Sequence, residues 1–588
     1  MIKFIFILVF GLPVCLTAQE KADMIVYNAR LATMNKPGEF AAAMAQKDGI
    51  VLAVGSNADI LKMYKGSATQ MIDAEGHTVV PGLNDSHIHI IREGLHYNAE
   101  LRWDGVTSLK RALQMLKEQA ARTPEGVWIK VIGGWNEYQF EEKRQPTLAE
   151  INEAVPDKPV FITYLYGKAF LNRKGIEVLK YDKNTHYEGS LVELDEKGIP
   201  TGMLYAKETP RAIYSTLALT TVLTFEERVN STLQYYHELN RFGLTSAIDA
   251  AGGGQNFPDD YAVASTLAKK GLLTLRTAYY LFAQAKGREL QDYEKWVAAT
   301  SLRKNDNMFL ANGFTAQGAG ENIVASAADF ENFLEPRIVL DDSMEKDLEP
   351  IIRLLVKNRW PFRLHATYGE SIERELALFE KINKELPFNG LRWFFDHAET
   401  ITDAQLQRVK KLGGGIAVQF RMYYQGELYN RLYGPPDHQL PPIKKMLSMQ
   451  LPVGLGTDAT RISTFNPWMS LHWAITGKTM GGYQFWPQKD TLSRFAALQL
   501  YGTGSAWMSG EETVKGRLAR GQYADWVILN KDYFSIPADE VRNIHALLTV
   551  VNGKVVYAEG SYAGLGPKLP DVIPAWSPVK YYGGYQDK

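Results

Sequence analysis

The sequence predicts an α/β fold built on a parallel eight-stranded (β/α)₈ barrel, and three observations support this prediction. Short apolar runs with the length of buried strands recur along the chain. Stretches with helical periodicity, such as residues 344–358 and 402–411, fall between these runs, as parallel strands require. Several runs end in a histidine or an aspartate, and catalytic groups in such barrels lie at the carboxyl ends of strands.

The predicted barrel strands follow one another along most of the chain, and helical stretches separate the later ones. In chain order they are the run that ends at His89, Gly243–Asp249, Leu273–Tyr280, Asn307–Gly313, Phe362–His365, Leu391–His397, Gly415–Phe420 and Pro452–Asp458.

Polar groups at these strand ends predict a metal site. His87 and His89 stand two residues apart, and alternate residues of a strand point to the same face, so both imidazoles can bind one ion. Later strand ends supply His365, His397 and Asp458. Each of these has an ordinary structural explanation when taken singly, such as a turn or helix cap for Asp458. The ordered set predicts one or two divalent ions, with zinc the first candidate.

In this order of histidines and aspartate the chain resembles the amidohydrolase superfamily, and most closely its amidohydrolase 3 branch, which includes N-substituted formamide deformylases. The resemblance implies a TIM barrel with an inserted segment, at about residues 95–235, that covers the active site. It also implies a small β-sandwich domain built from both ends of the chain. The segments that look like its strands are Ala22–Arg30, Gly49–Gly55, Ile72–Gly76, Gly521–Leu529 and Thr549–Tyr557.

Length and charge agree with this organisation. The 588 residues suffice for more than one domain, and the formal net charge of -1 gives no reason to expect a nucleic acid as partner. We expect a small-molecule substrate and no membrane span. The predicted parts are an export signal at 1–18, an amino-terminal sandwich part at 19–80, the barrel at 81–508, and a carboxyl-terminal sandwich part with a tail at 509–588.

An export signal is predicted at the start of the chain. A short apolar stretch follows Lys3, and Leu16-Thr17-Ala18 resembles a signal-peptidase site. The stretch is too short for a typical membrane span. Cleavage after Ala18 would remove Cys15, the only cysteine, whereas a lipid anchor on Cys15 is the competing interpretation. We expect a periplasmic or secreted protein.

The ligand set and the resemblance imply hydrolysis of a C–N bond in an amide, formamide or cyclic amide. A divalent ion would acidify a water molecule and polarise the carbonyl group. Asp458 would take the proton of that water and later hand it to the leaving nitrogen. His87, His89 and His365 would hold the ion. His397 would hold a second ion or stabilise the developing oxyanion.

The ligand that would bridge two ions is the point where the sequence departs from the family. Relatives with two metals often carry a carboxylated lysine on the fourth strand, where Met308 stands here. A thioether is a poor ligand for a hard ion. Glu321 is a candidate substitute, or else a carboxylate at a helix start. Lys168 is another candidate, or else a substrate-facing or surface cation. A single-metal site therefore stays open.

Five residues are candidates for contact with the substrate. Arg421 and Arg461 could bind a carboxylate through their planar guanidinium groups, or could form salt bridges between loops. Lys168 lies in the inserted segment. Trp135 and Tyr368 belong to a set of aromatic residues that fits an apolar or aromatic substrate, although aromatic residues are common in any large core.

Two other functions stay open. One is deamination of an amino-heterocycle, for which relatives commonly place a glutamate beside the histidine of the fifth strand. Here Ala366 follows His365, and the first glutamate is Glu370, which favours the amide hydrolase. The other is a binding or regulatory protein without catalysis, because a fold does not fix a function.

Overall fold

The computed structural model describes residues 20–300, 302, 313–333, 337 and 339–586. The predicted export signal at residues 1–18 and the predicted bridging position Met308 lie outside the described residues. Within the described ranges, no helix is long and apolar enough to cross a bilayer.

The centre of the described structure is a sheet of eight parallel strands in sequence order, curled into a barrel. The first and eighth strands come together at their carboxyl ends. There the Asp458 amide donates a hydrogen bond to the His87 carbonyl at 2.8 Å, and the His89 amide donates one to the Ala459 carbonyl at 3.0 Å. The strands are Leu83–Ile88, Leu244–Asp249, Arg276–Leu281, Phe314–Ala319, Phe362–Ala366, Trp393–His397, Gly415–Gln419 and Val453–Gly456.

Helices separate the barrel strands, as predicted. The helix Asp403–Lys411 shows why: Thr402 and Gln405 form a capping box at its start, and its apolar residues Leu406 and Val409 are buried. The described helices of the barrel region are Ile90–Gly94, Phe225–Arg241, Ala262–Lys269, Glu289–Ala299, Met344–Lys357, Gly369–Glu385, Asp403–Lys411, Arg421–Tyr433, Ile443–Ser448, Pro467–Thr476, Arg494–Gln499 and Ser505–Met508.

The fourth barrel strand lies later in the chain than predicted. The prediction Asn307–Gly313 is wrong, because Phe314–Ala319 takes the fourth place in the sheet. This strand has small residues where its neighbour comes close: a Cβ on Gly318 would lie 1.9 Å from the carbonyl oxygen of Pro361. Small side chains weaken the apolar signal of the segment. The fourth strand therefore ends two residues before Glu321.

The part of the chain between the first and second barrel strands forms a second sheet. It has its own apolar core, which includes Trp103, Met115 and Phe140. Its strands are Glu100–Leu101, Ile129–Val131, Val160–Tyr164, Lys168–Leu171, Ser190–Leu194 and Pro200–Ala206, and the helices beside it are Leu109–Arg122, Leu148–Ala154, Arg173–Leu179 and Arg211–Ala218. The boundaries predicted for the inserted segment stay a prediction.

Both chain ends build a two-sheet sandwich beside the barrel. Val26, Ile72 and Ile528 pack in one core between its sheets. The first sheet contains Met24–Tyr27, Ala43–Lys47, Ile50–Gly55 and Gln70–Asp73; the second contains Arg30–Ala32, Phe40–Ala41, Thr78–Pro81, Trp526–Leu529, Ala546–Val551 and Lys554–Ala558. Outside these sheets, the helix Asn57–Tyr64 precedes Gln70–Asp73, and the short helix Pro578–Tyr582 lies near the chain end.

Candidate metal centre

The predicted histidines and Asp458 converge at the carboxyl end of the barrel. His87 lies in the first strand and His89 follows it, His365 lies in the fifth, His397 ends the sixth, and Asp458 follows the eighth. All five side chains are buried. The imidazole ring centroids of His365 and His397 lie 4.3 Å apart, and those of His87 and His397 lie 5.1 Å apart. Strand ends therefore bring together groups that are far apart in the sequence.

Two of these positions have a left-handed backbone. His397 has a φ of 74° and Asp458 a φ of 55°, which side chains other than glycine rarely adopt. Both residues stand where a strand turns into a loop, so the unusual conformation directs their side chains at the end of the barrel. Such conformations cluster at functional sites.

The first set of donor atoms comes from the first and eighth strands. The Nε2 atom of His89 lies 3.1 Å from Oδ1 of Asp458, and Nε2 of His87 lies 3.5 Å from the same oxygen. Donor atoms of all three residues lie within 4.8 Å of one another. One ion could contact all three.

Glu321 joins this set to the other two histidines. Its Oε2 atom lies 3.4 Å from Nε2 of His87, 3.4 Å from Nδ1 of His365 and 3.5 Å from Nε2 of His397. The end of the fourth strand positions it, and its amide donates to the Ala250 carbonyl at 2.9 Å. Of the two predicted bridging candidates, the structure brings Glu321 to the centre.

The residues present fit a divalent metal ion. The Nε2 atom of His87 is buried and lacks a hydrogen-bond partner among the described residues. Its other ring nitrogen, Nδ1, lies 3.0 Å from the Asp396 carboxylate, which is the arrangement that orients metal-binding histidines. Imidazole nitrogens and carboxylate oxygens are ligands that zinc and similar ions accept.

The electrostatics of the cluster favour positive charge. Burial alone would lower the pKa of His87, but the carboxylates of Asp396 and Glu321 outweigh burial and raise that pKa to about 9. Burial would raise the pKa of Asp458, but its contacts with His87 and His89 hold that pKa well below its usual value. The Asp458 carboxylate is therefore held ionised, and the carboxylates beside His87 would stabilise a bound cation.

Sequence reasoning missed two carboxylates beside the cluster. Asp329 and Glu331 approach Nε2 of His365 at 3.1 and 3.2 Å, respectively. Asp329 also accepts hydrogen bonds from the backbone amides of Thr367 and Tyr368. A signal existed, because an acidic pair spaced by one residue follows the fourth strand, in the same spacing as the histidine pair.

A buried ion pair behind His87 was also missed. Arg363 donates to Asp396 from Nε at 2.7 Å and also from Nη2, and both side chains are 0% exposed. Asp396 thus contacts Arg363 on one side and His87 on the other. The sequence signal was a charged residue inside each of two strongly apolar strand runs.

The two predicted substrate-binding arginines have different surroundings. Arg421 donates to Glu331 at 2.7 Å and to Asp458 at 2.8 Å, so it is bound to the cluster. Arg461 lines a cavity in front of the cluster and packs over the ring of Tyr214 at 4.6 Å.

The other three substrate candidates contact neighbouring protein groups. The Nζ atom of Lys168 lies 4.9 Å from the centre of the Tyr164 ring, and Trp135 packs edge-on against the same ring. The Tyr368 hydroxyl donates to the Phe330 carbonyl at 3.1 Å. None of the three is among the described residues that line the cavity.

The cavity has a volume of about 650 Å³, which suits a small molecule. The metal-binding candidates form one wall. Four other lining residues with basic side chains are called the basic wall here: Arg92, His96, Lys130 and Arg461. Tyr214, on the helix Arg211–Ala218, also lines the cavity.

Comparison with known proteins agrees with this architecture. The Amidohydrolase family model matches residues 70–557. The chain is 24% identical over 543 residues to the amidohydrolase YtcJ of Bacillus subtilis, covering 89% of this chain and 97% of that one. It is 21% identical to the N-substituted formamide deformylase of Arthrobacter pascens, covering 92% and 99% of the two chains. A solved structure titled as an uncharacterized metal-dependent hydrolase from Pyrococcus horikoshii shares the fold, with a TM-score of 0.61 at 20% identity over 88% of this chain and 99% of that one. The family match spans well over half of the sequence, and this protein belongs to the amidohydrolase family.

Proposed function

We propose that the protein is a metal-dependent hydrolase of a C–N bond in an amide, formamide or cyclic amide. The observation that carries the proposal is the buried cluster in which Glu321 contacts His87, His365 and His397, with Asp458 beside it. The relationship to an N-substituted formamide deformylase supports the choice of bond.

The side chains divide into two ligand sets in this proposal. His87, His89 and Asp458 would hold one divalent ion, and His365 and His397 would hold a second. Glu321, which approaches histidines of both sets, would take the bridging role that a methionine at position 308 cannot fill. Zinc is the proposed metal because imidazole and carboxylate are its usual ligands in such sites. When bound, such ions supply an acidified water molecule and polarise the substrate carbonyl group.

Asp458 is the proposed proton carrier. Its Oδ2 atom accepts a hydrogen bond from Arg421 at 2.8 Å, which fixes the carboxylate, while Oδ1 faces His89 at 3.1 Å. A buried carboxylate held ionised in this way can take a proton from water and pass it to the leaving nitrogen. Arg421 positions this group.

Metal analysis tests the ligand assignment. We expect about two ions per chain, because the proposal contains two ligand sets. His87→Ala with His89→Ala should lose metal, and Glu321→Gln should lose part of it. Equal metal content in the wild type and both variants would contradict the assignment.

Turnover tests the reaction. The substrates are N-acyl, N-formyl and cyclic amides, with release of the amine as the readout. Asp458→Asn should reduce turnover by roughly 10²–10⁴-fold, because the amide of asparagine cannot accept the proton. Wild-type turnover in this variant would remove Asp458 from the mechanism.

One observation supports a second candidate, deamination of an amino-heterocycle. Glu331 lies 3.2 Å from Nε2 of His365 and could shuttle protons where the sequence offered no adjacent glutamate. Amino-heterocycles in the same substrate panel, with ammonia as the readout, distinguish this reaction from amide hydrolysis.

Export from the cytoplasm is a further proposal, supported by the sequence around Ala18. Expression in a secreting host followed by amino-terminal sequencing tests it. We expect a mature chain that starts at or near Gln19. An intact Met1, or a lipid on Cys15, would contradict the proposal.

A further inference from the structure

Two arginines on the basic wall of the cavity, Arg92, which is buried, and Arg461, which is half-buried, form no ion pair with a described acidic residue. Arg92 is 5% exposed, its Nη1 atom donates to the Gly253 carbonyl at 3.2 Å, and its Nη2 atom has no hydrogen-bond partner among the described residues. The Nη1 atom of Arg461 is also buried and has none in the same part of the chain. Each residue therefore presents an unsatisfied guanidinium nitrogen beside the cavity.

Other buried arginines of this protein are paired with carboxylates. Arg102 contacts three acidic groups at 3.1 Å each, and Arg276 contacts Asp525 at 2.6 Å. Arg363 and Arg421 are paired as described above. A buried guanidinium nitrogen without a partner is costly, so Nη2 of Arg92 and Nη1 of Arg461 call for an external partner.

Arg92 lies directly beside the metal cluster. A Cβ atom on Gly252 would come within 2.6 Å of Nη1 of Arg92 and 3.0 Å of Nδ1 of His89. The glycine therefore allows the guanidinium and the imidazole to share one narrow space, because any larger residue would push one of them away. An anion bound by Arg92 would belong to a molecule that also reaches the cluster.

Aromatic rings connect the cluster to Arg461. The guanidinium of Arg421 lies 5.8 Å from the ring of Tyr166, whose centroid lies 6.0 Å from that of Tyr214. The guanidinium of Arg461 lies 4.6 Å from the centre of the Tyr214 ring. Between the metal cluster and this arginine, the cavity therefore offers flat apolar surface on which the body of a ligand can lie.

The charges on this wall favour a singly charged anion. Burial and the charge of Arg92 lower the pKa of Arg461, and burial together with the charges of Lys130 and Arg461 lowers that of His96. Glu100 also lines the cavity, but burial and the Glu93 carboxylate raise its pKa well above the usual value, and it contacts Arg102 at 3.1 Å. Planar guanidinium groups match the two oxygens of a carboxylate.

We infer that the substrate is an amide with a carboxylate at its far end, and that Arg92 and Arg461 bind this carboxylate while the scissile bond lies at the metal cluster. This inference rests on the proposed hydrolase function. It names a class of substrate, the N-acylated or N-formylated compounds that carry a free carboxylate.

Binding of probes without a hydrolysable bond tests the subsite separately from catalysis. The probes are 3-phenylpropanoate and 3-phenylpropanol, titrated calorimetrically into the metal-loaded protein. We expect the acid to bind at least about tenfold more tightly than the alcohol, the effect of losing one charged hydrogen bond. Arg92→Gln and Arg461→Gln should each remove most of this preference and leave the affinity for the alcohol unchanged.

Matched variants complete the test. Arg173 is exposed and its variant Arg173→Gln should keep the full preference for the acid. Arg461→Lys, which keeps the charge and loses the planar group, should give an intermediate preference. Melting temperatures identify any variant that fails to fold. An acid affinity that is unchanged in both glutamine variants would overturn the inference, because the carboxylate would then bind elsewhere, for example at the metal ions.

Hydrolysis provides an independent measurement. Hippurate and its methyl ester share one amide bond and differ only in the free carboxylate, so the ratio of their kcat/KM values for amide cleavage measures the contribution of the anion. A preference for hippurate that Arg461→Gln abolishes supports the inference. Cleavage of both compounds at equal rates would overturn it while leaving the amide hydrolase intact, and probe binding without any cleavage would contradict the hydrolase alone.

Discussion

Replacing Asp396 by asparagine should damage the fold and the metal centre together. The carboxylate accepts hydrogen bonds from Arg363 and lies 3.0 Å from Nδ1 of His87, and all three side chains are 0% exposed. Asp396→Asn would leave the guanidinium of Arg363 buried without its counter-charge. Removing one partner of a buried pair costs about 3–5 kcal/mol. Asparagine keeps an oxygen acceptor, so we expect a loss of about 3 kcal/mol in the free energy of unfolding, the lower end of that range.

Urea unfolding measures this loss, and a surface pair provides the control. Arg408 contacts Glu373 at 2.6 Å, but the two side chains are 24% and 56% exposed, so Glu373→Gln should cost less than about 1 kcal/mol. The double variant Arg363→Met with Asp396→Asn removes both buried charges and should recover part of the stability. Zinc affinity of Asp396→Asn should fall by roughly 10–100-fold, because His87 loses the group that orients it. Equal stability of Asp396→Asn and Glu373→Gln, with unchanged zinc affinity, would refute this account.

Three further results are expected. Gly252→Ala should weaken binding of both zinc and 3-phenylpropanoate, because its Cβ would lie 2.6 Å from Arg92 and 3.0 Å from His89. Gly254→Ala is the matched control, since Gly254 also has a positive φ but its Cβ would have no atom within 4 Å. Equal affinities in the two variants would argue against the close approach. Burial and nearby cations lower the pKa of His96, so below pH about 6.5 the unfolded chain takes up a proton that the folded protein does not. The free energy of unfolding should therefore fall as the pH drops further. His96→Asn should make this fall less steep, and parallel curves of stability against pH for the wild type and the variant would exclude a contribution of His96. Dialysis against a chelator should lower the melting temperature, and added zinc should restore it; a melting temperature insensitive to the metal would count against a resident ion.

The sequence alone predicted most of the residues that the structure brings together in the candidate metal centre, because the signals for them are local. A spacing of two places His87 and His89 on one face of a strand whatever the rest of the chain does. His365, His397 and Asp458 each close an apolar run, and parallel strands of a barrel end on the same side. These predictions needed only strand periodicity and the order of the runs, and the structure brings these side chains together.

The fourth strand was misplaced for a physical reason. The run around Met308 is more apolar than Phe314–Ala319, and the strand prediction rests on apolar character. The true strand contains Gly318 because the carbonyl of Pro361 lies against it, and close backbone approach leaves no sign in hydrophobicity. The bridging ligand stayed undecided because Glu321 could equally be a carboxylate at a helix start.

The positions of Asp329 and Glu331 and the different surroundings of the two arginines depend on tertiary contacts. Asp329 reaches His365 because amides of the next loop hold it there, and sequence spacing does not encode that path. From the sequence, Arg421 and Arg461 were equally good candidates for binding a substrate. Only the observed contacts separate them, since Arg421 is bound by Glu331 and Asp458 while Arg461 is not.

The pairing of the two chain ends has a consequence for synthesis of the protein. The strand Thr78–Pro81 leaves the ribosome hundreds of residues before its neighbour Trp526–Leu529, with Val80 opposite Val527 in the finished sheet. Until then the early sandwich strands have apolar faces without cover, and closing so long a loop is slow. Asp525, the buried partner of Arg276 in the barrel, also emerges late. Nascent chains should therefore depend on chaperones until translation is nearly finished. Nonsense mutations between Asp458 and Trp526 should yield aggregates, even though every proposed metal ligand has already been made.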